Sequence, residues 1–282
     1  MNNLQSQSAW PDSSSRIPSL HEAFLVLSIS MGLVILCSAA IEKLGTDNLY
    51  FLLGSRFNIV LLVELASLGL PLALFLLRKR YDPRICLGLA SSGKVKIFGG
   101  ALLGIAAVIL APQFESLQVR LIPIDSELLE SYSRFVTVLP GESLFWAFCC
   151  VALIPSLAEE AFFRGFLLRT ALQRWRRPWA IAGIGILFGL FHLDLWHLPA
   201  LTLIGMLLTW VAVRASSVWP AVAFHLTNNG LALFLVNWPV FANEKWVKGA
   251  GDVPESIFLA GLALLSAGVL LVAWPKKYPR EY

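Results

Sequence analysis

Eight stretches of this chain are apolar over about the 20 residues that a helix needs to cross a bilayer, and they leave room for few other folds. They are 23–43, 57–77, 95–113, 143–169, 179–194, 197–214, 218–238 and 256–274. The fifth is short and meets the sixth through Asp194-Leu195-Trp196-His197-Leu198-Pro199. The fourth is longer than a span needs, so it tilts or projects from the membrane. Hydrophobic residues make up 57% of the 282 and charged residues 14%, against roughly 25% charged in soluble domains. A soluble interior cannot take up that much apolar surface. The expectation is an all-α, polytopic membrane bundle of about eight transmembrane helices.

Charge orients the bundle. Arg78, Lys79, Arg80, Arg84, Lys94 and Lys96 crowd one connection, Arg169, Arg174, Arg176 and Arg177 another, and Lys276, Lys277 and Arg280 the end of the chain. With eight spans the three clusters share one side, expected to be cytoplasmic, as are both termini. The net charge of +4 is gathered at these loops. That pattern speaks of topology and of a lipid bilayer, not of nucleic acid. The acidic connection 114–142 falls outside. Within it Leu128, Leu129, Tyr132, Phe135 and Val136 repeat at helical spacing and predict an interfacial helix. The start of the chain lacks the short basic opening of a signal peptide. The division expected is a mobile polar tail over 1–22, a single transmembrane domain over 23–274 and a basic cytoplasmic tail over 275–282. Cys37, Cys86, Cys149 and Cys150 show no metal or disulfide spacing and read as small buried hydrophobes.

Against this background Glu159, Glu160, His192 and His225 stand out. Each lies inside an apolar run, where an ionisable side chain costs at least ~2.5 kcal/mol and marks a site. Residues four apart share a helix face. Glu160 pairs in this way with Arg164, Phe188 with His192, and His225 with Asn229. Arg164 is the counter-ion expected for Glu160, since a buried guanidinium stays charged and forks onto a carboxylate. Glu159 points about 100° away from Glu160 and has no partner on its own helix. Desolvation suits it to act as a general base or acid near neutral pH. His225 and Asn229 both offer donors to one oxygen, as an oxyanion hole requires, and His192 is placed to help Glu159 hold a water. Glu159 lies about 15 Å and His225 about 10 Å from the cytoplasmic ends of their runs at 1.5 Å per residue, with His192 deeper. A cavity opening to the cytoplasmic leaflet would serve all three.

These motifs, Glu159-Glu160-x-x-x-Arg164, Phe188-x-x-x-His192 and His225-x-x-x-Asn229, resemble those of the CPBP (CAAX protease and bacteriocin-processing, or Abi) family of intramembrane endopeptidases, which includes the type II CAAX prenyl endopeptidases. The resemblance covers about residues 140–240. It implies a membrane protease, of a kind expected in a bacterial inner membrane. It would cleave a membrane-associated protein or peptide near its C-terminus, with Glu159, His192, His225 and Asn229 catalytic and Glu160, Arg164 and Phe188 supporting. It implies glutamate-dependent hydrolysis without a cofactor. One carboxylate and two histidines, Glu159, His192 and His225, are also a chemically acceptable zinc set, although no His-Glu-x-x-His helix is present.

Two other classes use the same residues. A transporter or proton relay would string ionisable groups across the membrane, and Glu64 is the strong extra candidate for it, read otherwise as an interhelical hydrogen-bonding carboxyl. A catalytically silent scaffold would keep the bundle and lose turnover.

Overall fold

The structure, a computed structural model, describes residues 17–122, 124, 136–248 and 251–275. The interfacial helix expected around Leu128 to Phe135, most of the N-terminal tail and the basic end of the chain lie outside the described residues.

Every one of the eight apolar runs is helical. In chain order the helices are α1 (Leu20–Leu44), α2 (Thr46–Leu53), α3 (Arg56–Lys79), α4 (Pro83–Cys86), α5 (Lys94–Leu121), α6 (Leu144–Ala171), α7 (Arg177–Phe191), α8 (Leu198–Ala215), α9 (Trp219–Asn237) and α10 (Glu255–Ala273). No strand occurs among the described residues. Six of them, α1, α3, α5, α6, α8 and α10, are long and apolar enough to cross a membrane. Of the other two runs, α7 is only 15 residues long, and α9 spends part of its length on His225, Thr227, Asn228 and Asn229.

The first helix starts at Leu20, three residues before the boundary expected from hydropathy. Ser19 Oγ accepts from the Glu22 backbone N–H, and Glu22 accepts from the Ser19 backbone N–H in return. This reciprocal cap satisfies two donors that the helix end would otherwise leave open, so Leu20 and the polar His21 and Glu22 belong to the helix.

Two long helices carry a wide, π-type turn just before a proline. In α3 the turn spans Leu65–Gly69 and Pro71 follows. In α6 it spans Cys149–Leu153 and Pro155 follows. Proline has no N–H to give and crowds the carbonyl one turn back, so the ladder widens there. A third wide turn, Glu160–Leu167, carries the charged motif of α6. Such turns redirect side chains and gather at functional sites.

Glycine sets how closely the helices meet. On α5, Gly100 and Gly104 press on α9, and a Cβ at either position would sit on the carbonyl oxygen of Pro220 or Phe224. Small residues four apart let two membrane helices bring their backbones together. The contact fixes α9 immediately beside His225. Phe162, Phe163, Phe166, Phe188 and Phe224 fill the middle of the bundle, each at most 2% exposed.

Candidate active site within the bundle

Arg164 is wholly buried, and four groups hold it. Its Nη1 donates to Glu160 Oε1 at 2.8 Å, its Nη2 to the Gly205 carbonyl at 2.9 Å and its Nε to Thr209 Oγ1 at 3.3 Å. Its guanidinium carbon lies 4.3 Å from the centroid of the Phe188 ring. Gly205 has to be glycine for this: a Cβ there would lie 2.8 Å from the Gly185 carbonyl of α7. The Glu160–Arg164 pair expected from helical spacing is present and dry.

Glu160 Oε1 serves a second partner. His225 Nδ1 lies 2.9 Å from it. The carboxylate oxygen already accepts from Arg164, so it accepts here too and Nδ1 carries the proton. Nε2 is the nitrogen of His225 left for other work.

Glu159 turns the other way, as the 100° step between neighbours requires. Its residue is 8% exposed, and its Oε2 is sealed from solvent with no hydrogen-bond partner among the described residues. Glu160 Oε2 and Ser156 Oγ are in the same condition. Polar oxygens buried without partners are rare in folded proteins, and here three lie within about one turn of α6.

His192 is the C-cap of α7, which ends there because Leu193 takes a left-handed φ of 53°. Its Nδ1 lies 2.8 Å from the Phe188 carbonyl. A carbonyl only accepts, so Nδ1 bears the proton and Nε2 keeps its lone pair. The Phe188 ring lies 4.8 Å from the His192 ring and 6.0 Å from the His225 ring. One aromatic side chain thus touches both imidazoles and the buried guanidinium. No hydrogen bond joins His192 to Glu159 among the described residues.

Asn229 is engaged elsewhere than expected. Its Nδ2 donates to the Val151 carbonyl at 3.1 Å, and its Oδ1 accepts from Asn228 Nδ2 at 3.0 Å. Val151 lies one turn before Pro155, which has no N–H to return to that carbonyl. The amide of Asn229 therefore ties α9 to the wide turn of α6 with one of its two Nδ2 protons.

Among the described residues no group of three or more His, Cys, Asp or Glu is placed to hold a metal ion. The alternative zinc set of Glu159, His192 and His225 is not among such groups, although Nε2 of each histidine is left open by the bond at its Nδ1.

Three features lay beyond sequence reasoning: the Glu160–His225 bond, the Gly205 and Thr209 contacts to Arg164, and the packing of the Glu64 turn of α3 on the Ile154–Glu159 part of α6. All three join different helices, and periodicity reports only on residues within one.

Residues 141–231 match a family model described as Rce1-like, type II CAAX prenyl endopeptidase Rce1-like. The match supports assigning this segment to the CAAX protease family. It holds α6, α7, α8 and most of α9, and with them every motif residue from Glu159 to Asn229. Helices α1 to α5 and α10 lie outside the match. No curated protein and no solved structure matches the chain.

Proposed function

We propose that this multi-pass membrane protein is a CAAX-type intramembrane endopeptidase in which Glu159 is the general base. The observation that carries the reading is the contrast between adjacent carboxylates: Glu160 is held through Oε1 by Arg164 and His225, whereas neither oxygen of Glu159 has a hydrogen bond among the described residues. The first is built to stay as it is, and the second is built to exchange a proton.

In this mechanism Glu159 takes a proton from water as the oxygen attacks a peptide carbonyl. The carbonyl π pair moves onto its oxygen, and the resulting oxyanion is met by His225 Nε2–H and the second Nδ2–H of Asn229. Glu160 accepting at Nδ1 supports a proton on both nitrogens of His225. The C–N bond then breaks, and the amine leaves with the proton that Glu159 held. The lone pair on His192 Nε2 accepts from the water and orients it. Phe188 keeps the imidazoles and Arg164 apart while excluding solvent.

The substrate is a membrane-associated protein or peptide cut near its C-terminus. Eight membrane crossings, cytoplasmic termini and a site open to the cytoplasmic leaflet of a bacterial inner membrane complete the proposal, and the basic loops support that orientation. Hydrolysis by glutamate and histidine needs no resident metal, and a chelator tests that point.

The test uses the full-length protein in liposomes with a farnesylated, internally quenched CAAX-type peptide. Wild type cleaves it, while Glu159→Ala and His192→Ala lose at least about 100-fold, the lower range for a general base. Activity surviving 1,10-phenanthroline fits the glutamate mechanism. Cleavage by Glu159→Ala at the wild-type rate would sink the proposal.

A further inference from the structure

Glu64 lies on α3, outside the segment that matches the protease family. Its Oε1 is sealed from solvent and has no hydrogen-bond partner among the described residues. Leaving such an oxygen unbonded costs about 1–3 kcal/mol, so a core with no use for it would favour leucine.

The backbone is irregular at this point. The wide turn Leu65–Gly69 begins directly after Glu64, and Ser67 Oγ donates to the Val63 carbonyl at 2.6 Å. That part of α3 packs on the Ile154–Glu159 part of α6, which sets the turn that carries Glu64 against the turn that carries Glu159. Glu159 Oε2 is also sealed and unbonded, as is the hydroxyl of Ser156 three residues earlier on the same face. Two carboxyl groups and a hydroxyl, from two helices, therefore carry unused bonding capacity at one buried contact.

We infer that Glu64 is a positioning residue of the hydrolytic centre: as the protonated partner of Glu159, it donates to the Glu159 carboxylate and holds that carboxylate toward the water. The inference rests on the hydrolase reading of Glu159. Two carboxylates facing each other in a low dielectric do not both ionise, and one proton between them leaves an acid beside a base. Glu64 keeps its proton through the reaction, and only Glu159 exchanges one with water and the leaving amine. The other charged groups near the pair are Glu160 and Arg164 on α6 and His225 on α9, which are already bonded to one another. Helix α1 also packs on this turn of α3. It contributes a buried Ser30 in its middle, with His21, Glu22, Glu42 and Lys43 only at its ends.

The test measures kcat and KM against pH, with the same liposomes and farnesylated quenched peptide. Glu64→Gln keeps a permanent donor in place of the acid O–H. Its kcat is expected to stay within about fivefold of wild type, with the alkaline fall in kcat displaced upward by at least about one pH unit or abolished. Glu64→Leu has no donor, and its kcat is expected to fall about 100-fold, the scale of one lost positioned donor, at nearly constant KM. A Glu64→Gln profile superimposable on wild type overturns the inference, as does a wild-type kcat for Glu64→Leu. If the leucine variant does not fold, the glutamine profile alone decides. Failure of the hydrolase reading shows separately, as wild-type cleavage by Glu159→Ala.

Discussion

The middle of the bundle and its outer rim both depend on buried or half-buried polar groups, but they use them differently. At the rim, Arg56 pairs with Glu142 at 2.9 Å and also donates to the Thr137 carbonyl, while the Leu139 N–H donates to the same carboxylate oxygen at 2.8 Å. Asn237, at the end of α9, accepts from the Val138 N–H at 2.6 Å and donates to the Val136 carbonyl at 3.0 Å. Trp146 Nε1 donates to Asn58 Oδ1 at 2.7 Å. These bonds pin residues 136–146 to the ends of α3 and α9. In the middle, one network of the same kind, Glu160 with Arg164 and His225, lies beside oxygens of Glu64, Ser156 and Glu159 that have no partner. The rim also leaves one oxygen, Glu142 Oε1, without a partner, but only in the middle do several, those of Ser156, Glu159 and Glu160, lie within about one turn of a helix.

Arg164→Ala should have the largest effect. It strands the Glu160 carboxylate in the core and opens the contact with Gly205 and Thr209. Breaking a buried pair in this way costs about 3–5 kcal/mol, enough to lose most folded protein from the membrane. The check is the yield of monodisperse protein in detergent, with Arg164→Lys recovering only part, because an ammonium lacks the guanidinium fork. A well-folded Arg164→Ala variant would erase the distinction between the two networks. Next comes Glu159→Gln, for which activity and stability are expected to move in opposite directions. It abolishes the base, yet it replaces a buried ionisable group that has no bonded partner by a neutral amide, and should leave thermal stability unchanged or raise it by about 1 kcal/mol. A large loss of stability would show that Glu159 is a structural residue like its neighbour.

How far the sequence reaches can be judged from the same two regions. Glu160–Arg164 was legible because both partners lie on one helix, four residues apart. The helical state of the apolar runs was legible because apolar length is a property of the chain alone. His225 Nδ1 on Glu160 was not, since it depends on the Gly100 and Gly104 contacts that set α9 against its neighbours. Asn229 is similar: spacing paired it with His225, but the carbonyl it meets is open because of Pro155 on another helix. The early start of α1 was readable in Ser19 and Glu22, but hydropathy outvoted it. Glu64 was visible as an ionisable residue in an apolar run, and only the packing of α3 on α6 shows what it faces.

Smaller effects belong to the rim. Burial alone would raise the Glu142 carboxyl, but the bonds from Arg56 and the Leu139 N–H outweigh it and hold the group below its ordinary 4.5. Its contribution to stability is therefore complete above the ordinary carboxyl range and is lost as the pH falls through its depressed value. Glu142→Gln should cost about 1 kcal/mol at neutral pH, a charge-assisted bond discounted for its place at the rim. Melting in detergent from neutral to acid pH should bring wild type and variant together once wild-type Glu142 is protonated. A gap that persists in acid would mean that the glutamine shape, not the lost charge, does the damage. Asp252, which pairs with Arg120 and accepts from Ser116 Oγ at 2.7 Å, is exposed over about half of its side chain. Water and salt screen such a pair, so Asp252→Asn should leave the melting temperature of the same preparation unchanged at physiological ionic strength. A drop as large as that of Glu142→Gln would mean that residues 251–254 are held to α5 as firmly as residues 136–146 are held to α3.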